Sequence, residues 1–326
     1  MFRNFLCVVL FIACLASIGC GPEPEKIDSE TLQGKITLSG AWALYPMVVT
    51  WAEAFQKENP GVMVEVSAGG AGKGMADALS GTVDLGMVSR DISMEEVAQG
   101  AWWISVVRDA VVPTVNVSNP LLDQLLARGM DRETLRSIWI TGKTQNWKES
   151  PGNEPPLSIH VYTRSDACGA AKTWADFLGG EQEDLMGVGV YGDPGLAEAV
   201  RSDPLGIGYN NINYAYDRST RHANQGIRVL PIDLNGSGSI EPEEDVYGTL
   251  DSITEAIAKG IYPSPPARDL HLVTKGVPER KLVRSFLLWI LKDGQRFVEP
   301  AGYIALPEAK LQDQMKSLID PAAVQP

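Results

Sequence analysis

Three short glycine-rich loops have residue types and spacing that could bind an anion. They cover residues 39–42, 68–72 and 167–170, and each lies between an apolar strand pattern and the start of a helical pattern. The first backbone N–H groups of a helix have no helical partner, and the helix dipole strengthens their attraction for negative charge. In open α/β sheets, ligands bind beyond the carboxyl ends of the strands. The pattern therefore predicts an anion-binding cleft, although ordinary strand–helix turns share this spacing.

An acidic loop at residues 233–244 fits the calcium loop of an EF-hand. The oxygen-bearing positions are Asp233, Asn235, Ser237, Ser239, Glu241 and Glu244. Gly238 stands where the loop needs a sharp turn, and Ile240 takes its apolar position. A strand pattern precedes the loop where an EF-hand has a helix, so we expect a single structural Ca²⁺ site. The alternative is a solvated acidic turn.

The motifs of this sequence give little support to an enzymatic function. In the second loop Gly74 follows Lys73, where a P-loop requires Ser or Thr, and Met75 replaces the third glycine of the dinucleotide fingerprint. A thiol near a helix start can have a lowered pKa, which makes Cys168 a possible nucleophile, with His160 as the base nearest to it in sequence. The histidines stand in no catalytic motif; they are His160, His222 and His271. We expect a protein that is not an enzyme.

The N-terminus has the pattern of an export signal. Arg3 precedes an apolar run over residues 5–18, and the run ends in Gly19-Cys20, which resembles a bacterial lipobox. This predicts a signal peptide over residues 1–19, lipidation at Cys20 and a polar tether over residues 20–33. The alternative is a transmembrane anchor, but the apolar run is shorter than the roughly 20 residues that span a bilayer.

Composition limits the partners. The formal net charge is −13 at pH 7 and becomes −14 once a signal that carries Arg3 is removed. Such a surface repels nucleic acid, so we expect no nucleic-acid partner. Cys7 and Cys14 leave with the signal and Cys20 carries lipid, so Cys168 remains as the one free thiol and excludes a disulfide framework.

The elements that position the loops alternate between strand and helix. Strand patterns at 35–38, 62–66 and 83–88 enclose helical patterns at 47–58 and 75–79. This β-α-β-α-β order predicts a mostly parallel sheet with helices on its faces. A longer apolar strand follows at 110–117, and later strands and helices follow in mixed order. About 300 residues outside the signal suit two lobes better than one small core.

The chain resembles the phosphate ABC transporter substrate-binding proteins, which have the type II periplasmic binding protein fold. The segments that carry the resemblance are 81–86 with Ser89-Arg90, 140–143 with Asn146-Trp147, 206–209, 293–295 and 301–303. The resemblance implies an α/β protein of two lobes, each a mixed, mostly parallel sheet flanked by helices, joined by two crossovers. Residues 34–112 and 249–326 would form lobe I, and residues 113–248 would form lobe II.

The resemblance also implies which residues face the ligand between the lobes. These positions are Ala43, Leu44, Tyr45, Ala71, Gly72, Ser89, Arg164, Asp166, Cys168, Gly169 and Ala170. Arg164 would clamp the anion and Asp166 would orient Arg164. The family has hydroxyl-bearing residues in place of Ala71, Cys168 and Ala170. Since an unmatched buried polar group costs about 1–3 kcal/mol, the loss of these donors predicts weak phosphate binding.

We therefore expect an exported, lipid-anchored solute-binding protein that faces the periplasm or the exterior. It would capture a small anionic solute, phosphate or a related oxyanion, and deliver it to an ABC permease in the cytoplasmic membrane. We expect a monomer. The alternative function is a sensor or other non-transport binding lipoprotein of the same fold with a different ligand.

Overall fold

The computed structural model describes residues 32–148 and 156–319. The predicted signal peptide, Cys20 and nearly all of the predicted tether lie outside the described residues. The strands are β1 (Gln33–Gly40), β2 (Gly61–Ala68), β3 (Leu85–Val88), β4 (Ala101–Asn116), β5 (Asn146–Lys148), β6 (Leu157–Ser158), β7 (His160–Arg164), β8 (Val188–Val190), β9 (Gly206–Asn211), β10 (Ile227–Val229) and β11 (Ala267–Lys275).

Helices cover the faces of the sheet. They are α1 (Tyr45–Glu58), α2 (Ala71–Ser80), α3 (Met94–Ala98), α4 (Leu122–Arg128), α5 (Arg132–Trp139), α6 (Gly169–Leu178), α7 (Gly192–Ser202), α8 (Ile212–Ala215), α9 (Leu250–Ala258), α10 (Lys281–Leu291) and α11 (Glu308–Ile319). Short 3₁₀ helices form at Gln182–Asp184 and Asp293–Phe297. Within the described part of the chain, no helix combines the length and the hydropathy needed to cross a membrane.

One long strand connects the two halves of the molecule. β4 has 16 residues, and its first half pairs antiparallel with β11 while its second half pairs antiparallel with β9 and β10. The strand order is β2-β1-β3-β11-β4-β9-β7-β8, with β10 also on β4. Pairing is parallel between β1 and each of β2 and β3, and between β7 and each of β8 and β9. The predicted fold class is therefore confirmed as a two-lobed α/β protein with a mixed sheet.

Two hydrophobic cores match the two lobes. The first core combines residues from Ile36 to Val107 with residues from Leu270 to Leu318. The second core runs from Ala110 to Ala267 and also takes Ile304. The chain thus leaves the first core near Ala110 and returns to it near Ala267, and the apolar face of α9 packs in the second core. The lobe boundaries at 112 and 249 stay predictions.

One helix start and two strands differ from the sequence predictions. α2 begins at Ala71, four residues earlier than predicted, because its glycine-rich first turn has little apolar periodicity. β4 begins at Ala101 rather than 110, since half-buried Trp102 and Trp103 interrupt its apolar pattern. The pattern also missed β11, although most of its residues are buried.

Candidate anion-binding cleft between the lobes

The three glycine-rich loops meet where the lobes face each other. They follow the carboxyl ends of β1, β2 and β7, which are the ends at which ligands bind in such sheets. The N–H of Gly72 in the first lobe donates to the carbonyl of Ala167 in the second, at 3.1 Å. A Cβ at position 70, where φ is +90°, would lie 2.8 Å from Asp166 Oδ2. The three loops therefore come together, as their pattern predicted.

The start of α6 presents free donors to the opposite lobe. The backbone N–H groups of Gly169 and Ala170 have no hydrogen-bond acceptor among the described residues. Gly169 lies directly against Ser89, which is buried at the end of β3, and a Cβ on Gly169 would come within 2.2 Å of Ser89 Oγ. Only glycine allows this approach. These amides are the helix N-terminal donors that the loop pattern predicted.

The loop before α1 contributes differently from the prediction. The N–H groups of Leu44 and Tyr45 both donate to Ala41 O at 3.1 Å, so the turn itself uses them. Ala43 O accepts a hydrogen bond from Tyr303 Oη at 2.6 Å. Ligand contacts were predicted at Ala43, Leu44 and Tyr45, but the backbone N–H groups of Leu44 and Tyr45 are not free to donate to a ligand. As ligand contacts, all the residues carried over from the family remain predictions.

Trp42 in the same loop crosses to the second lobe. Its indole ring lies against Gly192, where a Cβ would be 3.2 Å from the ring and where φ is +74°. Tyr191 meets the ring edge-on, with centroids 6.5 Å apart. Tyr214 Oη donates to Trp42 O at 3.1 Å. Trp42 therefore packs across the junction of the lobes, and glycine at 192 is required for that contact.

Arg164 is held by two carboxylates and is fully buried. Asp166 accepts from Nε at 2.8 Å and from Nη2 at 2.6 Å, while Asp193 accepts from Nη1 at 2.6 Å. Burial lowers the pKa of Arg164, but the two carboxylates outweigh it and leave its pKa raised. The predicted pairing of Arg164 with Asp166 is present. Asp193 was missed; it lies in the first turn of α7, in the segment Gly192-Asp193-Pro194, shortly after β8.

A second guanidinium lies at the same junction and was not predicted. Arg268 on β11 is 7% exposed; its Nε donates to Ser89 O at 3.0 Å and its Nη2 donates to Asn211 Oδ1. Asn211 in turn donates to Asp193 Oδ1 at 2.6 Å. A continuous buried network therefore links Arg164 in one lobe to Arg268 in the other.

Asp109 lies beside Arg268, opposite it in the β4–β11 ladder. It is fully buried, and neither carboxylate oxygen has a well-formed hydrogen bond within the described residues. Arg268 Nη2 lies 3.8 Å from Asp109 Oδ2. Burial raises the pKa of Asp109 to about 7; the charge of Arg268 opposes this rise, and the nearby Asp193 adds to it. Asp109 is thus partly protonated at neutral pH.

Cys168 is a buried helix cap and lacks the properties of a nucleophile. Its Sγ accepts the N–H of Ala171 at 3.4 Å. Burial raises the pKa of Cys168 to about 12, which Arg164 only partly offsets, so the lowered pKa considered from the sequence is wrong. His160 is at the opposite end of β7 and pairs with Asp203 at 2.7 Å. The geometry offers no base to this thiol.

The acidic loop lies between β10 and α9, away from the cleft. Asp233 Oδ1 accepts the N–H groups of Gly236 and Ser237, at 2.8 and 3.2 Å, and Glu244 Oε1 accepts that of Leu234 at 2.9 Å. Both carboxylates are buried. Among the described residues, no group of three or more His, Cys, Asp and Glu side chains is arranged to hold a metal ion. A calcium site here would depend on carbonyl, amide and hydroxyl oxygens as well.

Comparison with known proteins now gives the family. A model of the PBP superfamily domain matches residues 28–293. The chain belongs to the PBP superfamily. Among curated relatives, phosphate-binding protein PstS of Bacillus subtilis strain 168 is 25% identical over 323 residues, which cover 95% of this chain and 97% of the relative. The corresponding protein of Staphylococcus saprophyticus is 25% identical over 304 residues, which cover 90% and 87%.

Solved structures share the fold. One from Clostridium perfringens, which holds bound phosphate, has a TM-score of 0.68 and 23% identity and covers 84% of this chain and all of its own. An ABC-type phosphate transport receptor from Vibrio cholerae has a TM-score of 0.60 and 20% identity over 84% of this chain and 100% of its own. The resemblance drawn from the sequence motifs is confirmed. The names of these relatives and neighbours describe binding or transport proteins rather than enzymes.

The raised pKa of Asp109 predicts a pH-dependent stability that Asp109→Asn removes. The folded pKa of about 7 exceeds the ordinary value of 3.8. The stabilisation by the neutral carboxyl is therefore complete below about pH 4 and is lost as the pH rises through 7. We expect the free energy of unfolding of the variant, relative to wild type, to rise by roughly 2–3 kcal/mol between pH 5 and 8.

Urea unfolding at several pH values measures this difference. Asp123→Asn, at an exposed position on α4, is the matched control and should follow the wild-type profile. Parallel profiles for Asp109→Asn and wild type would show that Asp109 is ionised throughout and would contradict the prediction.

Proposed function

We propose that the protein is an extracytoplasmic solute-binding lipoprotein of a phosphate-type ABC transporter. It captures a small anion, phosphate or a related oxyanion, between its lobes. The observation that carries this proposal is the pair of unpartnered amides at Gly169 and Ala170, at the start of a helix whose first residue lies against Ser89 of the other lobe. The relatives named for phosphate binding support the same ligand class.

The transport role follows from the two-lobed design. Ligand that contacts donors from both lobes favours the closed form, and a hinge converts that preference into a shape that a permease can recognise. β4 and the segment before β11 are the connections through which such closure would act. We propose an ABC permease of the cytoplasmic membrane as the partner and a monomer as the working form.

A non-transport sensor with another ligand is the second candidate. The observation that favours it is the charge around Arg164, which two carboxylates already neutralise. A third carboxyl, Asp109, lies at the same junction. Such a site attracts a dianion less than one with a free guanidinium does. The position of Cys168, where the family has a hydroxyl, acts in the same direction.

Calorimetry of residues 21–326 against a panel of oxyanions tests the proposal. We expect at least one oxyanion to bind, and phosphate to bind with a Kd weaker than about 1 μM, because three hydroxyl donors are absent. Cys168→Ser and Ala170→Ser together restore two donors and should tighten phosphate binding by about tenfold or more. Ala127→Thr, which adds a hydroxyl on exposed α4, is the matched control.

Two outcomes would count against this view. Sub-micromolar phosphate binding by the wild type would show that the missing hydroxyls matter little. Binding of no oxyanion by the wild type or by the double variant would contradict the anion proposal and favour the sensor with a different ligand.

We also propose that Cys20 carries a lipid anchor that holds the protein on the membrane. The proposal rests on the apolar run followed by Gly19-Cys20. Cys20→Ser in the full chain should abolish lipid labelling and move the mature protein to the soluble fraction. Cys14→Ser, within the apolar run, is the control and should stay with the membrane. Equal membrane fractions for Cys20→Ser and wild type would rule out an anchor at Cys20.

Calcium in the acidic loop is proposed as a structural ion. The loop spacing supports it, as do the buried carboxylates of Asp233 and Glu244. With 2 mM Ca²⁺ and a Kd near 0.1 mM, typical of weak extracellular sites, we expect about 2 kcal/mol of stabilisation over chelator, or a Tm several degrees higher. Glu244→Gln should remove this shift, and exposed Glu243→Gln should keep it. An unchanged Tm in the wild type would refute the site.

A further inference from the structure

Arg268 has an unused pair of donors at the centre of the lobe junction. Its Nε and Nη2 donate to Ser89 O and Asn211 Oδ1, which belong to opposite lobes. Its remaining terminal nitrogen, Nη1, is buried and has no hydrogen-bond partner among the described residues. A buried charged donor without a partner is costly, so a folded protein keeps one mainly where a ligand or an ordered water completes it.

The surroundings of Nη1 are those of the predicted anion site. Ser89 accepts from Arg268 and lies against Gly169, whose amide is also free. Five buried side-chain atoms without partners belong to this junction, out of ten in the described part of the chain. They are Trp42 Nε1, Asp109 Oδ1 and Oδ2, Asn213 Oδ1 and Arg268 Nη1. This concentration of unpartnered polar atoms indicates where a polar ligand would bind.

Arg164 is the less available of the two guanidiniums. Three of its N–H groups point to Asp166 and Asp193, at 2.6–2.8 Å, so its charge is compensated within the second lobe. Arg268 has no carboxylate closer than Asp109, whose oxygen is 3.8 Å from Nη2, beyond hydrogen-bond distance. The positive charge of Arg268 is therefore less compensated by nearby carboxylates than that of Arg164.

We propose that Arg268, through Nη1, is the principal side-chain donor to a compact oxyanion bound between the lobes, and that Asp109 weakens this binding while it is ionised. The inference rests on the proposed function and adds to it a residue from the first lobe, on β11. The anion would lie between Arg268 and the free amides of α6, with Ser89 beside it. Because these donors come from both lobes, binding would favour closure.

Calorimetry with inorganic phosphate at pH 8 tests the role of Arg268. Arg268→Gln, which keeps a polar head but removes the charge, should weaken binding by about 100-fold or more, and Arg268→Lys by about tenfold. Arg108→Gln is the matched control, because Arg108 lies on the neighbouring strand, outside the junction. It pairs with Asp269, which also contacts Lys310. The control should bind as the wild type does.

Asp109→Asn distinguishes two roles for Arg268, because they predict different effects on phosphate affinity. If Arg268 binds the anion, removing the negative charge beside it should tighten phosphate binding by about threefold to tenfold at pH 8. If Arg268 only pairs with Asp109 to hold the strands together, the substitution brings no gain. Circular dichroism and Tm establish that each variant folds, and Arg268→Lys with Asp109→Asn decide the matter should Arg268→Gln fail to fold.

The outcomes separate this inference from the proposed function. Loss of binding in the Arg268 variants with a gain in Asp109→Asn supports both. Wild-type affinity in the Arg268 variants, or no gain in Asp109→Asn, overturns the role of Arg268 and leaves the proposed function intact. If the wild type binds neither phosphate nor any other oxyanion, both the role of Arg268 and the proposed function are overturned.

Discussion

The structure depends on a set of buried charges that spans the junction of the lobes. Two guanidiniums, Arg164 and Arg268, face three carboxyl groups on Asp109, Asp166 and Asp193. Charges taken out of water are costly unless they are paired and hydrogen-bonded. Arg164, Asp166 and Asp193 have such partners, whereas Arg268 leaves Nη1 without one and Asp109 responds through a pKa raised to about 7. Any ligand between the lobes must enter this balance.

The fold could be predicted well because its signals are local. Strand and helix patterns from residue 35 to 88 produced the β-α-β-α-β order that the structure shows, and the glycine-rich loops at its turns meet as expected. β11 escaped because a strand that is buried on both faces has no polar alternation to mark it. Nothing in the sequence of α9 indicates which core its apolar face joins, and the structure packs it in the second.

The charged network could not be predicted because its partners are distant in sequence. Arg164 and Asp193 are 29 residues apart, while Arg268 and the Ser89 carbonyl it contacts are 179 apart. Only the pairing of Arg164 with Asp166, two residues away, was within reach of the sequence. The signal that could have found Asp193 is the acidic residue between glycine and proline at a helix start. Arg268 and Asp109 have no such signal, since each resembles an ordinary charged residue in an unassigned strand.

Two features of the lobe junction act in the same direction. Cys168 and Ala170 stand where the resemblance to the family leads us to expect hydroxyl-bearing residues. The backbone amides of α6 remain as donors, because no side-chain substitution removes them. At the same time Asp193 and Asp166 together satisfy Arg164, which reduces its pull on a highly charged ligand. A site with fewer neutral donors and with negative groups beside its guanidinium binds a multiply charged anion less well on both counts. In the proposed site, the remaining groups would favour a ligand small enough to lie between the amides and one guanidinium. Selectivity would then depend on the balance of charge at the lobe junction more than on hydroxyl groups.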